Sequence, residues 1–198
     1  MAVKKNLPIN VCVIQDSREK DTYYIKDMLD QRRGKDGIKF TEFRVEAVKP
    51  LGCKTSTGDL SFEFQFDGEE EWQKTKFVVE IKKSLDLTNS ITNKANFDRL
   101  CRELERGKEA NLDFYFVSTS DVETINKELS KVPRLRNTNM DIVGFEKYID
   151  LQNKLTELGF CGVIVSGRQG LAWVLRRLIK IHIKKFKLQQ KKDVDKEK

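Results

Sequence analysis

The fold of this chain is decided at residues 76–87, where the sequence is KFVVEIKKSLDL. Apolar side chains alternate there with Glu80 and Lys82, and this spacing predicts a β-strand with both charged residues on one face. The two residues are expected about 6–7 Å apart along the strand. Because buried charge is costly unless it is paired, bound to a metal or used in chemistry, we interpret this strand end as a candidate functional site.

A second alternating segment precedes this strand and predicts a β-hairpin. Residues 60–66 (LSFEFQF) form the outgoing strand, an acidic turn follows, and residues 74–82 form the returning strand. Asp59 precedes the outgoing strand, and Glu80 ends the returning one. Because the two ends of an antiparallel hairpin lie side by side, Asp59 is expected to meet Glu80 and Lys82.

The remaining hydrophobic pattern predicts an α/β fold in one domain, residues 1–190, followed by a charged, disordered tail at 191–198. Alternating and apolar runs predict strands, and apolar stripes at helical spacing predict helices. The further strands are expected at residues 9–14, 38–45, 112–118 and 161–165, and the helices from residue 24 to a C-cap at Gly34, then at 97–104, 121–131, 145–158 and 168–190. We therefore expect a central mixed β-sheet of about six strands flanked by helices.

The charge balance favours an anionic partner. The 198 residues carry a formal net charge of +7, which suits nucleic acid or a membrane surface, although solvated lysines on a soluble protein are the competing interpretation. The four cysteines form no C-x-x-C pair, which favours reduced thiols over disulfides or zinc. With no apolar run of about 18 residues and no signal peptide, we expect a protein of the cytoplasm, or of the nucleus in a eukaryote, that is not secreted and does not span a membrane.

Asp59, Glu80 and Lys82 together suit metal-dependent hydrolysis of a phosphodiester. Mg²⁺ takes one or two protein carboxylates, with water and substrate phosphate completing its shell. Asp59 and Glu80 can supply the carboxylates and the carbonyl of Ile81 a third ligand, while Lys82 can orient water or offset negative charge. Asp16, at the end of another predicted strand, can extend the acidic cluster. The triple is short, so a turn aspartate beside a solvated strand end is the competing interpretation.

A longer set of motifs runs in order along the chain. The motifs are DSREK at 16–20, GDL at 58–60, VEIKKSLDL at 79–87, SI at 90–91, and a helix that carries Phe97, Arg99 and Leu100. This set resembles the XPF-type nuclease domain, the structure-specific branch of the PD-(D/E)XK, restriction-endonuclease-like superfamily. In that family V-D-x-R-E precedes G-D-Y, and E-R-K-x-x-x-D-L precedes S-I and a helix. The resemblance spans about Val11 to Leu178.

The resemblance implies a restriction-endonuclease-like fold and a DNA endonuclease that uses Mg²⁺ or Mn²⁺. Asp59 and Glu80 match the metal ligands of the family, Lys82 matches its catalytic lysine, and Asp16 matches the acid near the metal. Supporting positions around the cleft are matched by Arg18, Glu19 and Asp86. Asp86 can alternatively cap the following helix together with Ser84 or Thr88.

Two positions depart from the family pattern. Ile81 stands where the family has an arginine, and Leu60 stands where it has a tyrosine. The first change implies a weaker substrate contact, or its transfer to Lys83.

Two basic helices are candidates for contact with nucleic acid. Arg99 and Arg102 lie beside the apolar stripe of one, and Arg176 and Arg177 lie on the basic faces of the last helix. A solvated face is the competing interpretation for the last helix, and its apolar stripe can equally serve a homodimer. His182 in that helix is expected to be structural or solvated.

The leading hypothesis is therefore an endonuclease that cuts branched or single-strand/double-strand junction DNA in repair, recombination or replication. A four-way-junction resolvase and a restriction-type nuclease are alternatives on the same fold. A non-catalytic DNA-binding subunit that keeps the nuclease fold is the alternative of another class, because function follows from the site and not from the fold.

Overall fold

A central mixed sheet of seven strands forms the middle layer of the protein. The computed structural model describes residues 9–19, 23–29, 37–119, 123, 127, 140–164 and 167–196. The strands are β1 (Ile9–Gln15), β2 (Ile38–Val45), β3 (Leu60–Phe66), β4 (Gln73–Lys74), β5 (Phe77–Lys82), β6 (Asp113–Ser118) and β7 (Cys161–Ile164). The helices are α1 (Tyr23–Leu29), α2 (Ser84–Thr92), α3 (Lys94–Glu109), α4 (Met140–Glu157) and α5 (Gly167–Lys196).

The strand order is β2-β1-β3-β5-β6-β7, with the short β4 paired to β3. β1 is antiparallel to β3, and β3 is antiparallel to β5, whereas β2 is parallel to β1 and β6 and β7 continue parallel to β5. The prediction of an α/β fold with a mixed sheet flanked by helices is confirmed. The pairing of β3 with β5 places the start of one beside the end of the other, which brings Asp59 to Glu80.

The returning strand of the hairpin is divided in two at Thr75, which explains why the sheet has seven strands rather than six. Thr75 Oγ1 donates a hydrogen bond to the carbonyl of Phe62 at 2.7 Å and accepts one from the N–H of Phe77 at 3.4 Å. The buried hydroxyl thereby joins the segment between β4 and β5 to the neighbouring strand β3. A threonine is common in strands, so the alternation alone predicted an unbroken strand.

The two faces of β5 belong to two different cores, as the alternation predicts. Phe77, Val79 and Ile81 are buried in a core that includes apolar residues of α1 and α5. Val78 is buried in a second core with apolar residues of α2, α3 and α4. Glu80 continues the face of Val78 at the strand end, so its carboxylate lies on the side of the sheet that α2 and α3 cover.

Some predicted boundaries differ from the structure. α5 extends to Lys196, past the helix end expected at residue 190 and into the segment expected to be a charged, disordered tail. This segment contains neither glycine nor proline, and nothing local ends the helix. α4 begins at Met140, earlier than the expected residue 145. Gly34, Val165 and most of the helix expected at 121–131 lie outside the described residues. None of the described helices combines the length and hydropathy that crossing a membrane requires.

Candidate active site

Asp59 is fixed beside the end of β5 by its backbone and by its side chain. Its N–H donates to the carbonyl of Val79 at 2.9 Å, and its Oδ2 accepts from the N–H of Ile81 at 2.7 Å. Gly58 precedes it with φ of +74°, and a Cβ there would collide with Val78. Only glycine allows this close approach of two strands, so the Gly-Asp pair places the carboxylate at the strand end.

Glu80 and Lys82 form an ion pair on the same face of β5. Lys82 Nζ lies 2.7 Å from Glu80 Oε1 and 3.3 Å from Asp86 Oδ2. Glu80 is almost fully buried, whereas Asp86, in the first turn of α2, is largely exposed. Asp86 therefore makes a second ion pair with Lys82, and Lys83, the N-cap residue of α2, makes no side-chain capping bond.

The carboxyls of Asp59 and Glu80 both resist ionisation. Burial raises the pKa of Asp59, and the neighbouring charge of Glu80 raises it further, against the hydrogen bond from Ile81 and the charge of Lys82. Burial likewise raises the pKa of Glu80, which Lys82 opposes and Glu103 reinforces. Burial therefore outweighs the single ammonium of Lys82 at both acids, and the pKa of each lies above that of a free carboxyl.

Lys82 keeps its proton in this environment. Burial by itself would lower the pKa of Lys82, but the charge and hydrogen bond of Glu80 outweigh burial and raise it above the ordinary value for lysine. A protonated ammonium can donate hydrogen bonds to water or to a phosphoryl oxygen and can offset negative charge. It cannot act as a general base.

Asp16 lies at the end of β1 in the same cleft, but its carboxylate is already occupied. Its Oδ1 accepts from the N–H of Arg18 and from Arg18 Nε, both at 2.8 Å, and its Oδ2 accepts from Arg18 Nη2 at 3.0 Å and Ser56 Oγ at 2.9 Å. These bonds, led by the guanidinium, lower the pKa of Asp16 to about 2 against the effect of burial. A carboxylate offers about four acceptor sites, so Asp16 in this arrangement has none left for a metal.

These acids line one cleft of about 360 Å³ between the strand ends and α3. Arg18, Glu19 and Arg99 line it as well, which agrees with the positions expected from sequence. Further lining residues that were not predicted as site residues include Ser56, Ser90, Asn96, Glu103 and Arg106.

Among the lining residues that were not predicted, Glu103 and Arg106 are the charged ones. Glu103 Oε1 accepts from the N–H of Gly58 at 3.3 Å, so a third acid from α3 reaches the Asp59 segment. Arg99, Glu103 and Arg106 are spaced four and three residues apart, which places them on one face of a helix. That spacing was the signal available in the sequence.

Other predicted residues lie away from the cleft. Lys83 and Arg102 are exposed and are not among the described residues that line it. Arg177 is exposed on α5, also outside the cleft. The structure brings none of these three to Asp59 and Glu80.

The prediction that Arg176 contacts nucleic acid is wrong. Arg176 is 7% exposed, its Nη1 donates to the carbonyl of Met28 at 2.7 Å, and its guanidinium lies 4.8 Å from the ring centroid of Phe40. It connects α5 to the end of α1 and to β2. A guanidinium held in this way in the interior is a structural group and is not available to phosphate.

Ile81, the departure from the family arginine, does not face the cleft. Its side chain is 6% exposed and belongs to the core that α5 covers, on the opposite face from Glu80. Its contribution to the site is the backbone N–H that binds Asp59. The contact suggested for Lys83 in place of the arginine has no support from the position of Lys83 in the structure.

Asp59 and Glu80 are suited to hold a hard divalent cation. The described part of the chain has no group of three or more His, Cys, Asp or Glu side chains arranged to hold a metal. Two carboxylates are nevertheless enough, because proteins usually supply only one or two of the ligands around Mg²⁺. Burial is the main cause of their raised pKa values, and a bound cation would oppose that effect by favouring the charged carboxylates.

Comparisons with known proteins bear on the fold. No protein-family model matches the sequence, and no curated protein matches it. Among solved structures, XPF from Aeropyrum pernix has a TM-score of 0.51 at 15% identity, over 91% of this chain and 69% of that one. XPF from Aeropyrum pernix in complex with DNA has a TM-score of 0.50 at 17% identity, over 87% of this chain and 65% of that one. At these identities the likeness concerns architecture, and this chain has an XPF nuclease-like fold.

Proposed function

We propose that this protein is a DNA endonuclease that needs Mg²⁺ or Mn²⁺ and cuts branched or single-strand/double-strand junction DNA. The observation that carries the proposal is the pairing of Asp59 with the buried Glu80 beside the protonated Lys82, at the adjoining ends of β3 and β5. Two further facts support it: an XPF neighbour was solved with DNA, and this chain carries a net charge of +7.

Each residue of the site has a distinct task in this proposal. Asp59 and Glu80 would hold the metal ion, which supplies a Lewis acid and a nucleophilic water at neutral pH. Lys82 donates hydrogen bonds toward the reacting phosphate and offsets its growing negative charge. Asp16 keeps Arg18 at the cleft rim through the bonds described above, and thereby acts as a positioning residue.

The cleft also offers cations to the DNA backbone. Arg18, Arg99 and Arg106 line it, and the Arg18 side chain is 77% exposed. Exposed guanidinium groups around a buried acidic centre can bind the phosphates that flank the one being hydrolysed. This arrangement replaces the contact that was expected from Arg102 and Arg176.

The proposal is tested by cleavage of fluorescently labelled flap, fork and four-way-junction DNA, together with plain duplex. Each substrate is incubated with Mg²⁺, with Mn²⁺ and with excess chelator. The parent protein is compared with Asp59→Asn and Lys82→Ala, and with Asp67→Asn as a matched control, since Asp67 is an exposed acid in the β3–β4 turn. We expect metal-dependent cutting of at least one branched substrate by the parent and by Asp67→Asn only.

Several outcomes would contradict the proposal or redirect it. It fails if no substrate is cut, or if the Asp59 and Lys82 variants cut as well as the parent. Strict dependence on a four-way junction would indicate a resolvase, and cutting of plain duplex at one sequence would indicate a restriction-type enzyme. DNA binding that falls steeply with salt, without cleavage under any condition, would indicate a non-catalytic subunit.

A further inference from the structure

A second cavity lies at the other end of β5 from the cleft. Its volume is about 350 Å³. It is lined by three lysines, Lys74, Lys76 and Lys185, and by Leu51, Phe186 and His182, and is here termed the lysine pocket. The pocket lies where β5 begins, toward the face that α5 covers, and the cleft lies where β5 ends, toward the face that α3 covers. The two are therefore separated by at least the length of that strand, about 20 Å.

Backbone hydrogen bonds hold the wall of the lysine pocket in place. The N–H of Leu51 donates to the carbonyl of Thr75 at 2.8 Å, and the N–H of Asp113 donates to the carbonyl of Lys76 at 2.9 Å. The buried Thr75 hydroxyl, which divides β4 from β5, fixes the same segment to Phe62. The pocket is therefore formed by the fold itself and does not need a ligand to assemble it.

The interior of the lysine pocket is apolar and aromatic. Leu51 is 49% exposed, and its backbone is bonded to Thr75 in the pocket wall. Phe186 is half-buried, and its ring packs edge-on against Phe64 with centroids 5.0 Å apart. One part of the Phe186 ring is thus anchored in the core while the residue still lines the cavity.

His182 contributes ring surface and not charge. Its imidazole packs edge-on against Phe62 at 5.5 Å and Phe77 at 5.7 Å. Burial lowers its pKa, which Asp113, with Oδ2 3.3 Å from the imidazole Nδ1, opposes and Lys185 reinforces. The positive charge of the pocket therefore comes from its lysines, and Asp113 is the only acid among the described lining residues.

Three lysines against one aspartate around an aromatic interior select a ligand that is anionic and has a flat apolar part. A nucleotide within a DNA strand has both, since its base can stack while the adjoining phosphates meet ammonium groups. We propose that the lysine pocket binds a single-stranded segment of DNA, with one base against Phe186 and Leu51 and the flanking phosphates on the lysines. This inference rests on the proposed function, because it assigns a second contact on the same substrate.

The separation of the two sites fits a branched substrate. About 20 Å corresponds to roughly six stacked nucleotides at about 3.4 Å each. A free single-stranded arm of that length or longer can reach the lysine pocket while the junction occupies the cleft. Plain duplex has no such arm, so the pocket would favour branched over linear DNA.

The test is binding of a fluorescent single-stranded oligonucleotide, and of a flap substrate, to Asp59→Asn protein without divalent metal. Lys74, Lys76 and Lys185 are changed together to alanine in this background. The control changes Lys39, Lys54 and Lys108 to alanine, which removes the same charge outside both cavities. We expect the pocket variant to bind single strands about 10-fold more weakly and to lower the salt slope by about 2, with a clearly smaller change in the control.

A second measurement identifies the base contact. An oligonucleotide carrying iododeoxyuridine is crosslinked by light, and the linked peptide is sequenced. We expect linkage at Phe186, lost in Phe186→Leu, a change that keeps an apolar group against Phe64. Retained folding of each variant is checked by its thermal unfolding.

The pocket proposal is overturned if both triple variants weaken binding equally, because the effect would then be general charge. It is overturned as well if the crosslink forms at a residue outside the pocket. A third contrary outcome is that a free mononucleotide binds in the pocket while the triple pocket variant binds single strands as tightly as its parent. Since binding is measured without cleavage, a pocket effect in a protein that cuts nothing would refute the proposed function and leave the pocket standing. Cleavage by a protein whose pocket variant binds DNA normally would support the proposed function and refute the pocket.

Discussion

The cleft contains two groups of acids, Asp16 and the pair of Asp59 and Glu80, and the pKa values of the two groups shift in opposite directions. Asp16 is 2% exposed and Glu80 is 4% exposed, yet desolvation by burial is the largest cause of the pKa shift of Glu80, whereas at Asp16 it only opposes the hydrogen bonds that lower the pKa. Asp16 accepts its hydrogen bonds from Arg18 and Ser56, and its pKa falls to about 2. Glu80 and its neighbour Asp59 share one ammonium, that of Lys82, and the pKa of each rises.

The comparison shows that hydrogen bonds and counter-charge, weighed against burial, decide whether the pKa of an acid in the cleft falls or rises. Arg18 reverses the effect of burial on Asp16, whereas Lys82 cannot do so for two acids with Glu103 nearby. All acceptor sites of Asp16 are filled, so its carboxylate holds Arg18 and Ser56 in place. A pair of acids that lacks positive charge is where a cation is expected to bind and where chemistry is expected to occur.

The largest expected effect comes from removing one acid of each group. We expect Glu80→Gln to slow DNA cleavage by about 10³-fold or more, since it removes a proposed metal ligand. Asp16→Asn should cost only about 10-fold, through a less well placed Arg18. Single-turnover cleavage rates measure both, with folding confirmed by circular dichroism. Equal losses in the two variants would contradict the division between them.

Divalent metal provides a readout that is independent of cleavage. At about 100 times its dissociation constant, Mn²⁺ should raise the melting temperature of the parent by about 5–10 °C. Asp59→Asn should lose this increase, while Asp16→Asn and the exposed-acid control Asp67→Asn should keep it. An increase that persists without Asp59 would place the metal elsewhere.

The two groups should also give opposite pH dependence of stability without metal. The folded-state pKa of Asp16 is depressed, so its stabilisation, about 1–2 kcal/mol after allowance for the exposed Arg18, is present at neutral pH and lost as pH falls from about 4 to 2. The folded-state pKa values of Asp59 and Glu80 are raised, so stability falls as pH rises above about 4 toward those values. Urea unfolding across pH measures both. The decline above pH 4 should flatten in Asp59→Asn, and a decline unchanged in that variant would refute the assignment.

Glu103 is expected to give the smallest effect. The charge of Glu103 raises the pKa of Glu80, so Glu103→Gln should lower that pKa. The difference in pKa between Glu80 and Asp16 should then become smaller. We expect a shift of less than about 10-fold in metal affinity, corresponding to about 1.4 kcal/mol. Calorimetric titration with Mn²⁺ measures it, with Glu109→Gln as control, since Glu109 is exposed at the end of α3. A loss as large as that of Glu80→Gln would make Glu103 a direct ligand.

Local sequence patterns were enough to predict the central hairpin and the faces of its strands. Strict alternation in β5 assigned its two faces correctly, and the hairpin placed Asp59 beside Glu80, since neighbouring strands joined by a short turn leave little freedom of register. The same local logic missed the break at Thr75, because a threonine that binds the backbone has the same strand preference as one that does not.

The contacts between distant segments were the part that the sequence left open. Arg176 and Arg177 are adjacent and chemically identical, yet one is buried against Met28, 148 positions earlier, and the other is exposed. The choice of Glu103 and Arg106 over Arg102 depends on how α3 is rotated against the strand ends. Periodicity determined which residues share a face, and only the packing of that face against the rest of the protein decided which of them reach the site.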